Sequence, residues 1–268
     1  MSNKQSSSNR FDFQLEHGES GVIARRATGF LADGAYLFQD ELEMKGELTA
    51  KVITCAAWLF ELYELKTGEL FFLRDDAQIR PKTKCFGVFY PPFTISQPSF
   101  KNVKARLVGV AATDALPSGF TTIPVVFETI FTESPSGLKE VIQIVDSGHN
   151  RQGVEFNSKP SLLSLRAKRL IDENYLIYPS IARLAARLGV THEHLSRQFK
   201  RDFRMSPSAY LHQVRLADAT LRLAKNEKIV NVSQDVGYND LSRFYKQFRK
   251  TNKTSPGLCQ TMVKPTQP

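Results

Sequence analysis

The spacing of apolar residues changes along the chain, and each pattern predicts a different kind of structure. Between residues 11 and 110, short apolar runs at 52–60, 70–73 and 85–90 alternate with turns rich in Gly, Pro and Asp. Runs of this length and spacing are typical of β-strands. Strands of this number and spacing indicate an antiparallel barrel or sandwich. We predict an α+β fold whose N-terminal part is an antiparallel β-barrel with short helices.

Helical spacing replaces the strand pattern between residues 123 and 147. Val126 and Ile130 form one apolar stripe, and Leu138, Val141 and Val145 form a second stripe after a turn rich in Ser, Pro and Gly. This spacing predicts two short amphipathic helices. One stripe would pack on the barrel, and the other either does the same or faces the second subunit of a homodimer.

The C-terminal part of the chain contains an internal repeat. The apolar pattern of residues 181–189 returns 48 residues later at 229–237, and the basic pattern of 195–201 returns 49 residues later at 244–250. A repeat of this length marks one supersecondary unit that is used twice.

Each copy has the sequence features of a helix-turn-helix motif. In the first copy, Ser180 can cap a helix that ends before Gly189, and glycine tolerates the positive φ that ends many helices. Thr191 can cap a second helix with an apolar face and a basic face. In helix-turn-helix proteins this second helix enters the major groove of DNA. We predict the motifs at about 181–203 and 229–251. The alternative is a generic helical array, but an array would continue beyond two copies.

The segments around the motifs suggest how the chain is divided. Residues 151–160 are polar and are interpreted as a linker between domains at 1–150 and 161–262. A helix at about 162–175 would brace the first motif. A second helix from Pro207 to about 225, capped by Ser206, would join the motifs and be about 27 Å long. That length suits two recognition helices about 34 Å, or one DNA turn, apart.

Charge is unevenly distributed between the two parts of the chain. Residues 1–150 have a net charge of −3, and residues 151–268 have a net charge of +12. This is expected of a nucleic-acid-binding module attached to a nearly neutral partner.

The three cysteines form no CxxC pair, which suits a reducing cytosol. Residues 1–10 are predicted to be disordered and lack the apolar core of a signal peptide. No apolar run is long enough for a membrane helix, so we expect no membrane partner.

A set of residues in the two motifs and in the helix between them matches the pattern of a known family. They are Ser180-Ile181, Leu184-Ala185, Leu188-Gly189, Leu195-Ser-Arg-Gln-Phe-Lys200, Ser206-Pro207, Tyr210-Leu211, Arg215-Leu216, Val236-Gly237-Tyr238, Phe244, Phe248-Arg-Lys250 and Ser255-Pro256. With this set, residues 161–262 resemble the DNA-binding domain of the AraC/XylS family of bacterial transcription regulators.

The resemblance implies a DNA-binding regulator that works at the bacterial nucleoid, in the cytoplasm. Its implied partners are double-stranded promoter DNA and RNA polymerase. The N-terminal domain, usually a cupin-like barrel in this family, would bind a small effector, dimerise or do both. The resemblance groups the chain with activators, although its own residues do not distinguish activation from repression.

Four positions depart from the pattern of the family. Arg204 and Lys253 stand where the family usually has Gly, Ser233 stands where it usually has Ala, and Lys228 replaces the usual Ser or Thr cap. These changes affect the expected stability of the second motif more than its identity.

Outward-facing residues early in each second helix are expected to contact bases, because that end of the helix enters the groove. These predicted base contacts are Glu193, Ser196 and Arg197 in the first motif and Ser242, Arg243 and Lys246 in the second. Basic residues further along are expected to contact phosphates. The predicted phosphate contacts are Lys200, Arg201, Arg249 and Lys250. For Ser196 and Ser242 the alternative is a solvated helix face.

The sequence offers little support for an enzyme. Residues 1–150 contain only His17 and His149, which are too few for the metal site of a cupin enzyme. No nucleotide-binding or hydrolase motif is present. His192 and His194 are better explained as neighbours of a helix cap and a phosphate than as metal ligands. We therefore expect no enzyme activity, no metal and no cofactor.

The effector site stays unassigned at this point. The basic clusters at 25–26 and 80–84 could bind an acidic effector, but a solvated hairpin is the favoured interpretation. The favoured function is a sequence-specific transcription regulator. An enzyme with a DNA-binding tail and an effector-independent architectural DNA binder are the alternatives.

Overall fold

The computed structural model describes residues 11–17, 20–31, 34–113, 122–130, 134–157, 159–177, 180–252 and 254–261, with side chains from Leu31 to Gln260. The N-terminal segment predicted to be disordered and Lys253 lie outside these ranges. Within them, a sheet-rich N-terminal part is followed by a helical C-terminal part.

Twelve strands lie within the described residues. They are β1 (Phe11–His17), β2 (Ser20–Phe30), β3 (Tyr36–Met44), β4 (Glu47–Thr49), β5 (Val52–Ile53), β6 (Trp58–Arg74), β7 (Ala77–Ile79), β8 (Cys85–Tyr90), β9 (Ile95–Ser96), β10 (Pro98–Ala112), β11 (Val125–Glu128) and β12 (His149–Gly153).

Ten of these strands form one antiparallel sheet. Its order is β1-β2-β3-β10-β6-β8-β11-β12, with β4 beside β10 and β7 beside β6, while β5 pairs with β9. Among the described strands, the outer ones β1 and β12 do not pair with each other, so the sheet is open. The predicted closed barrel is therefore wrong, because closure requires its two edge strands to meet.

Both faces of the central strands are buried, which explains their nearly continuous apolar runs. Along β6, Phe60 and Leu62 belong to one apolar cluster, and Tyr63 belongs to another on the opposite face. The cluster around Phe60 and Leu62 includes Val141 of a helix that packs on the sheet.

Eight helices lie within the described residues. They are α1 (Leu138–Ser147), α2 (Leu162–Asn174), α3 (Ile181–Arg187), α4 (His192–Phe203), α5 (Pro207–Ala224), α6 (Ile229–Asp235), α7 (Leu241–Asn252) and α8 (Pro256–Thr261). No helix in the described ranges is long and apolar enough to cross a membrane.

Of the two short helices predicted between 123 and 147, only α1 is confirmed. Residues 125–128 form strand β11, which lies between β8 and β12. Val126 is buried there, whereas Ile130, the other half of the predicted stripe, is 81% exposed. A run of two valines and a phenylalanine suits a strand as well as a helix, and pairing with β8 decides between them.

The sheet also extends into the segment predicted to be a linker. Strand β12 occupies residues 149–153, and Val154 beyond it is fully buried. Ser96 Oγ donates a hydrogen bond of 2.8 Å to the carbonyl of Val154. The first residues of the predicted linker are therefore part of the sheet, and the division into two domains stays a prediction.

The predicted helix-turn-helix pairs are confirmed in the C-terminal part. Helices α3 and α4 form the first pair, α6 and α7 form the second, and α5 joins them with 18 residues. The helical part contacts loops of the N-terminal part through hydrogen bonds as well as apolar packing. Lys51 Nζ donates to the carbonyl of Arg204 at 2.9 Å, and Lys168 Nζ donates to that of Phe93 at 2.6 Å.

Candidate nucleic-acid interface

The first motif has the caps and the turn that its sequence predicts. The Ser180 hydroxyl accepts from the backbone N–H of Arg183 at 3.3 Å, and Thr191 Oγ1 accepts from that of His194 at 3.1 Å. Gly189 has a φ of +69° in the turn. These contacts satisfy N–H groups that have no partner within their own helix and so fix where α3 and α4 begin.

The second motif is held in place by different residues. Lys228 provides no side-chain cap for α6, as its sequence suggests. Arg222 of α5 instead pairs with Glu227 and Asp235, each at 2.6 Å, and thereby ties α6 to the connecting helix.

Asp240 is the cap of α7, a role that the sequence analysis missed. Its Oδ1 accepts from the backbone N–H of Ser242 at 2.7 Å and from that of Arg243 at 3.1 Å. The available signal was an aspartate directly before the helix, where a capping residue is favoured.

Two departures from the family pattern are accommodated without breaking the motifs. Arg204 adopts the left-handed conformation, with φ 53° and ψ 22°, at the end of α4. Ser233 is buried in α6, and its hydroxyl donates to the carbonyl of Val230 at 2.8 Å. Arg204 thus takes a conformation that favours glycine, and the added hydroxyl of Ser233 has a partner.

The residues predicted to contact DNA lie on the solvent-facing side of α4 and α7. Ser196 is half-buried, and the other nine side chains are exposed. The exposed side chains are Glu193, Arg197, Lys200, Arg201, Ser242, Arg243, Lys246, Arg249 and Lys250. Leu195 and Phe199 of α4, and Phe244 and Phe248 of α7, are fully buried on the opposite sides. Each helix therefore packs by one face and leaves its basic face accessible.

A polar cleft of about 500 Å³ lies between the motifs. Its lining includes His192 at the start of α4, Arg243 near the start of α7, and His212 and Arg215 of α5. The N-terminal ends of both recognition helices therefore border one shared cleft, which is rich in cationic or protonatable groups.

Arg215 lines this cleft and joins the end of α2 to the turn of the second motif. Its Nε donates to the carbonyl of Tyr175 at 2.6 Å, and its Nη1 donates to that of Gly237 at 3.2 Å. Burial lowers the pKa of the guanidinium. The sequence signal for this role was an arginine between two buried apolar residues, Val214 and Leu216.

His212 of α5 lies beside Tyr238 in the cleft. Its Nδ1 lies 3.2 Å from the Tyr238 hydroxyl. Burial, and then the positive charges of Arg215 and Arg243, lower its pKa. The cleft therefore favours a neutral imidazole beside two permanent cations.

Comparisons with known proteins agree with this geometry. Residues 184–261 match the family described as "Helix-turn-helix domain". The chain is 30% identical over 119 residues to the HTH-type transcriptional activator RhaS of Pectobacterium carotovorum, covering 44% of this chain and 39% of RhaS. It is 31% identical over 81 residues to the lactose operon transcription activator of Staphylococcus xylosus, covering 30% of this chain and 29% of that protein. The chain thus spans less than half the length of these curated relatives.

Two solved structures illustrate the structural similarity of this chain to known proteins. One is a probable AraC family transcriptional regulator from Rhodopseudomonas palustris, with 21% identity, a TM-score of 0.37 and coverage of 39% of this chain and 100% of the other. Another is ToxT from Vibrio cholerae, with 10% identity, a TM-score of 0.44 and coverage of 81% and 96%.

The paired motifs, their joining helix and the family match define the class of this region. The C-terminal helices form a helix-turn-helix domain of the AraC/XylS type. The sequence relatives named above are transcription activators and not enzymes.

Proposed function

We propose that this protein is a sequence-specific, DNA-binding transcription activator. Helices α4 and α7 enter two successive major-groove segments on one face of promoter DNA. The observation that carries the proposal is the shared cleft, which is bordered by the N-terminal ends of both recognition helices and by α5. At 18 residues, α5 is about 27 Å long, which is close to one DNA turn.

In this proposal, base contacts provide specificity and phosphate contacts provide affinity. Arg197 lies on the exposed face of α4, and within the described part of the chain it has no ion-pair partner. Its guanidinium can therefore bond the O6 and N7 atoms of a guanine. Arg243 and Lys246 take the same part in α7, with Glu193, Ser196 and Ser242 as further base contacts. Lys200, Arg201, Arg249 and Lys250 bind phosphates, which position the protein without reading sequence.

The remaining parts of the proposal concern partners. The N-terminal sheet would modulate DNA binding through a small ligand, self-association or both. RNA polymerase is the expected partner at the promoter, because activation requires the enzyme to be recruited or engaged there. A cupin-like character of the sheet and a location at the bacterial nucleoid belong to the same proposal.

The first experiment measures binding of the purified protein to a random-duplex library at physiological salt, followed by footprinting on the best site. We expect two protected major-groove segments about one turn apart. Uniform binding without sequence preference would refute the proposal and favour the architectural alternative. Turnover of a substrate by residues 1–150 would favour the enzyme alternative.

Single substitutions then test the assigned contacts. Arg197→Ala should weaken the best site by about 1–3 kcal/mol and relax specificity at one position, whereas Lys250→Ala should weaken all duplexes similarly. Arg169→Ala is the matched control, because this arginine is exposed on α2 and pairs with Glu173. If Arg197→Ala preserves discrimination between duplexes, Arg197 is not a base contact.

A further inference from the structure

The shared cleft between the motifs lies where DNA backbone passes if both recognition helices bind one duplex. Two successive major-groove segments on one face of B-DNA are separated by a minor groove, which has a sugar–phosphate backbone on each side. The starts of α4 and α7 border the cleft at His192 and Arg243, and α5 contributes His212. A duplex bound as proposed above therefore brings backbone phosphates to the mouth of the cleft.

The lining of the cleft is positively charged. Among the described residues that line it, Arg215 and Arg243 are the permanent cations and Asp240 is the one carboxylate, which leaves a net charge of +1 with neutral histidines. The Asp240 carboxylate is held at the start of α7, where its Oδ1 accepts from the backbone N–H groups of Ser242 and Arg243. The cleft therefore attracts anions, and the phosphates of a bound duplex are anions at the right place.

His212 can add a hydrogen-bond donor and a further positive charge to this cleft. The side chain is half-buried, and its Nδ1 lies 3.2 Å from the Tyr238 hydroxyl. Burial raises the pKa of Tyr238, so the hydroxyl keeps its proton near neutral pH and can accept from the ring as well as donate to it. An imidazolium at position 212 can thus keep its bond to Tyr238 through Nδ1 and donate from Nε2 to an anion.

Charged and titratable groups from several elements surround His212 in the cleft, whereas the lining residues at the start of α3 are uncharged. These groups are His192 at the start of α4, 4.0 Å from Glu193, Arg215 on α5 itself, Tyr238 and Asp240 in the turn before α7, and Arg243 on α7. Burial, and then the charges of Arg215 and Arg243, lower the pKa of His212 in the free protein. A phosphate beside the ring reverses this effect, because its negative charge offsets the two arginines and favours the imidazolium.

We propose that the shared cleft is a phosphate site, which holds one backbone phosphate between the two major-groove segments through a protonated His212. The proposal rests on the DNA-binding function for its ligand, and it adds a contact outside both recognition helices. On binding, the ring takes up one proton from solvent. Its Nδ1 then donates to the Tyr238 hydroxyl and its Nε2 donates to a phosphate oxygen, in a charge-assisted hydrogen bond.

Proton uptake gives this site a signature that arginine and lysine contacts lack, because those side chains stay charged near neutral pH. The pKa of His212 is lowered in the free protein and is raised by the phosphate in the complex, so between these two values the ring is neutral before binding and charged after it. Duplex affinity should therefore rise as the pH falls through this range, by at most about tenfold per pH unit for one proton. Above the pKa of the complex, this contribution disappears.

The test measures fluorescence anisotropy of the selected duplex with the full-length protein at constant ionic strength, between about pH 8 and about pH 6. Wild-type affinity should rise at least about threefold over this interval, and His212→Gln should lose most of the increase. His149→Gln is the matched control, since His149 is exposed on β12, and it should titrate like the wild type. Circular dichroism at each pH checks that all three proteins stay folded.

Duplexes that carry one methylphosphonate locate the phosphate. This group has no negative charge, so it neutralises a single backbone position and leaves the base sequence unchanged. Placed in turn at each phosphate between the two protected segments, it should abolish the pH-dependent gain of the wild-type protein at one position. In His212→Gln the same replacement should not alter the dependence on pH. A wild-type gain that survives neutralisation at every position would overturn the assignment.

The phosphate site and the DNA-binding function fail in different ways. Sequence-specific duplex binding with the same pH dependence in the wild type and in His212→Gln would refute the phosphate site and leave the DNA-binding function standing. Absence of duplex binding at every pH would refute the DNA-binding function, and the phosphate site with it.

Discussion

The two turn glycines occupy equivalent positions in the motifs, yet their surroundings differ. Both have a positive φ, +69° at Gly189 and +83° at Gly237. At Gly189 an added Cβ would meet no other heavy atom within 4 Å. At Gly237 the same atom would lie 2.7 Å from Arg215 Cζ and 2.9 Å from the carbonyl oxygen of Leu176. Alanine at the two positions therefore separates backbone strain from a steric clash.

The expected magnitudes follow from these contacts. Gly189→Ala should lower the free energy of unfolding by about 1–2 kcal/mol, which is the cost of a left-handed conformation for a residue with a Cβ. Gly237→Ala carries the same strain and also displaces the Arg215 guanidinium from the carbonyls that it binds. Losing one hydrogen bond to a charged group adds about 1.5–3 kcal/mol, for a total of about 2.5–5 kcal/mol.

Urea unfolding of the full-length variants, followed by far-ultraviolet circular dichroism, measures both values. Combining Gly237→Ala with Arg215→Ala provides the control, because the clash with the guanidinium is then absent. The cost of Gly237→Ala should fall in that background toward the cost of Gly189→Ala. If Gly189→Ala destabilises the protein as much as Gly237→Ala does, the role assigned to Arg215 in holding the turn of the second motif against the end of α2 is wrong.

Two further changes test local features of the helical part. Arg204→Gly should raise the free energy of unfolding by about 0.5–1 kcal/mol in urea titrations, because glycine relieves the left-handed strain but loses more chain entropy on folding. If the substitution instead lowers the free energy of unfolding, the contact of Arg204 with Asp76 at 3.8 Å outweighs that strain. The lowered pKa of His212 means that the unfolded chain binds more protons than the folded one as the pH falls below the ordinary value of 6.5. Stability should therefore decrease as the pH drops from 6.5 toward the folded-state pKa. In melting curves recorded over this pH range, His212→Gln should show a weaker dependence of stability on pH. An unchanged pH dependence would exclude His212 as its source.

The helical part could be predicted well because its signals are local. Ser180, Thr191 and Ser206 cap helices whose first turns lie within three residues of the cap, as the bonds to Arg183, His194 and Ala209 show. The internal repeat also shows the helix-turn-helix pattern a second time, which supports the prediction. Where the local signal differed, as at Asp240 before α7, the cap was missed although the helix was found.

The sheet was predicted less completely because its pairings join distant residues. Residues 125–128 have apolar side chains that fit a helix or a strand, and only the pairing with β8 makes them a strand. Whether the sheet closes into a barrel also depends on a long-range pairing, since β1 and β12 lie at opposite ends of the strand order. Neighbouring residues carry no information about which strand will lie at an edge.

The candidate sites divide in the same way. Arg197 and Arg243 could be assigned from sequence, because position on a helix sets which side chains face outward. Glu61 and Ala217 line one cavity, but sequence reasoning could not bring them together, since 156 positions separate them. Periodicity, capping and charge thus define the paired motifs from short-range chemistry. The open sheet, the bonds of Arg215 to Tyr175 and Gly237, and the cavity between the sheet and α5 arise instead from long-range packing, whose partners are chosen only when the chain folds.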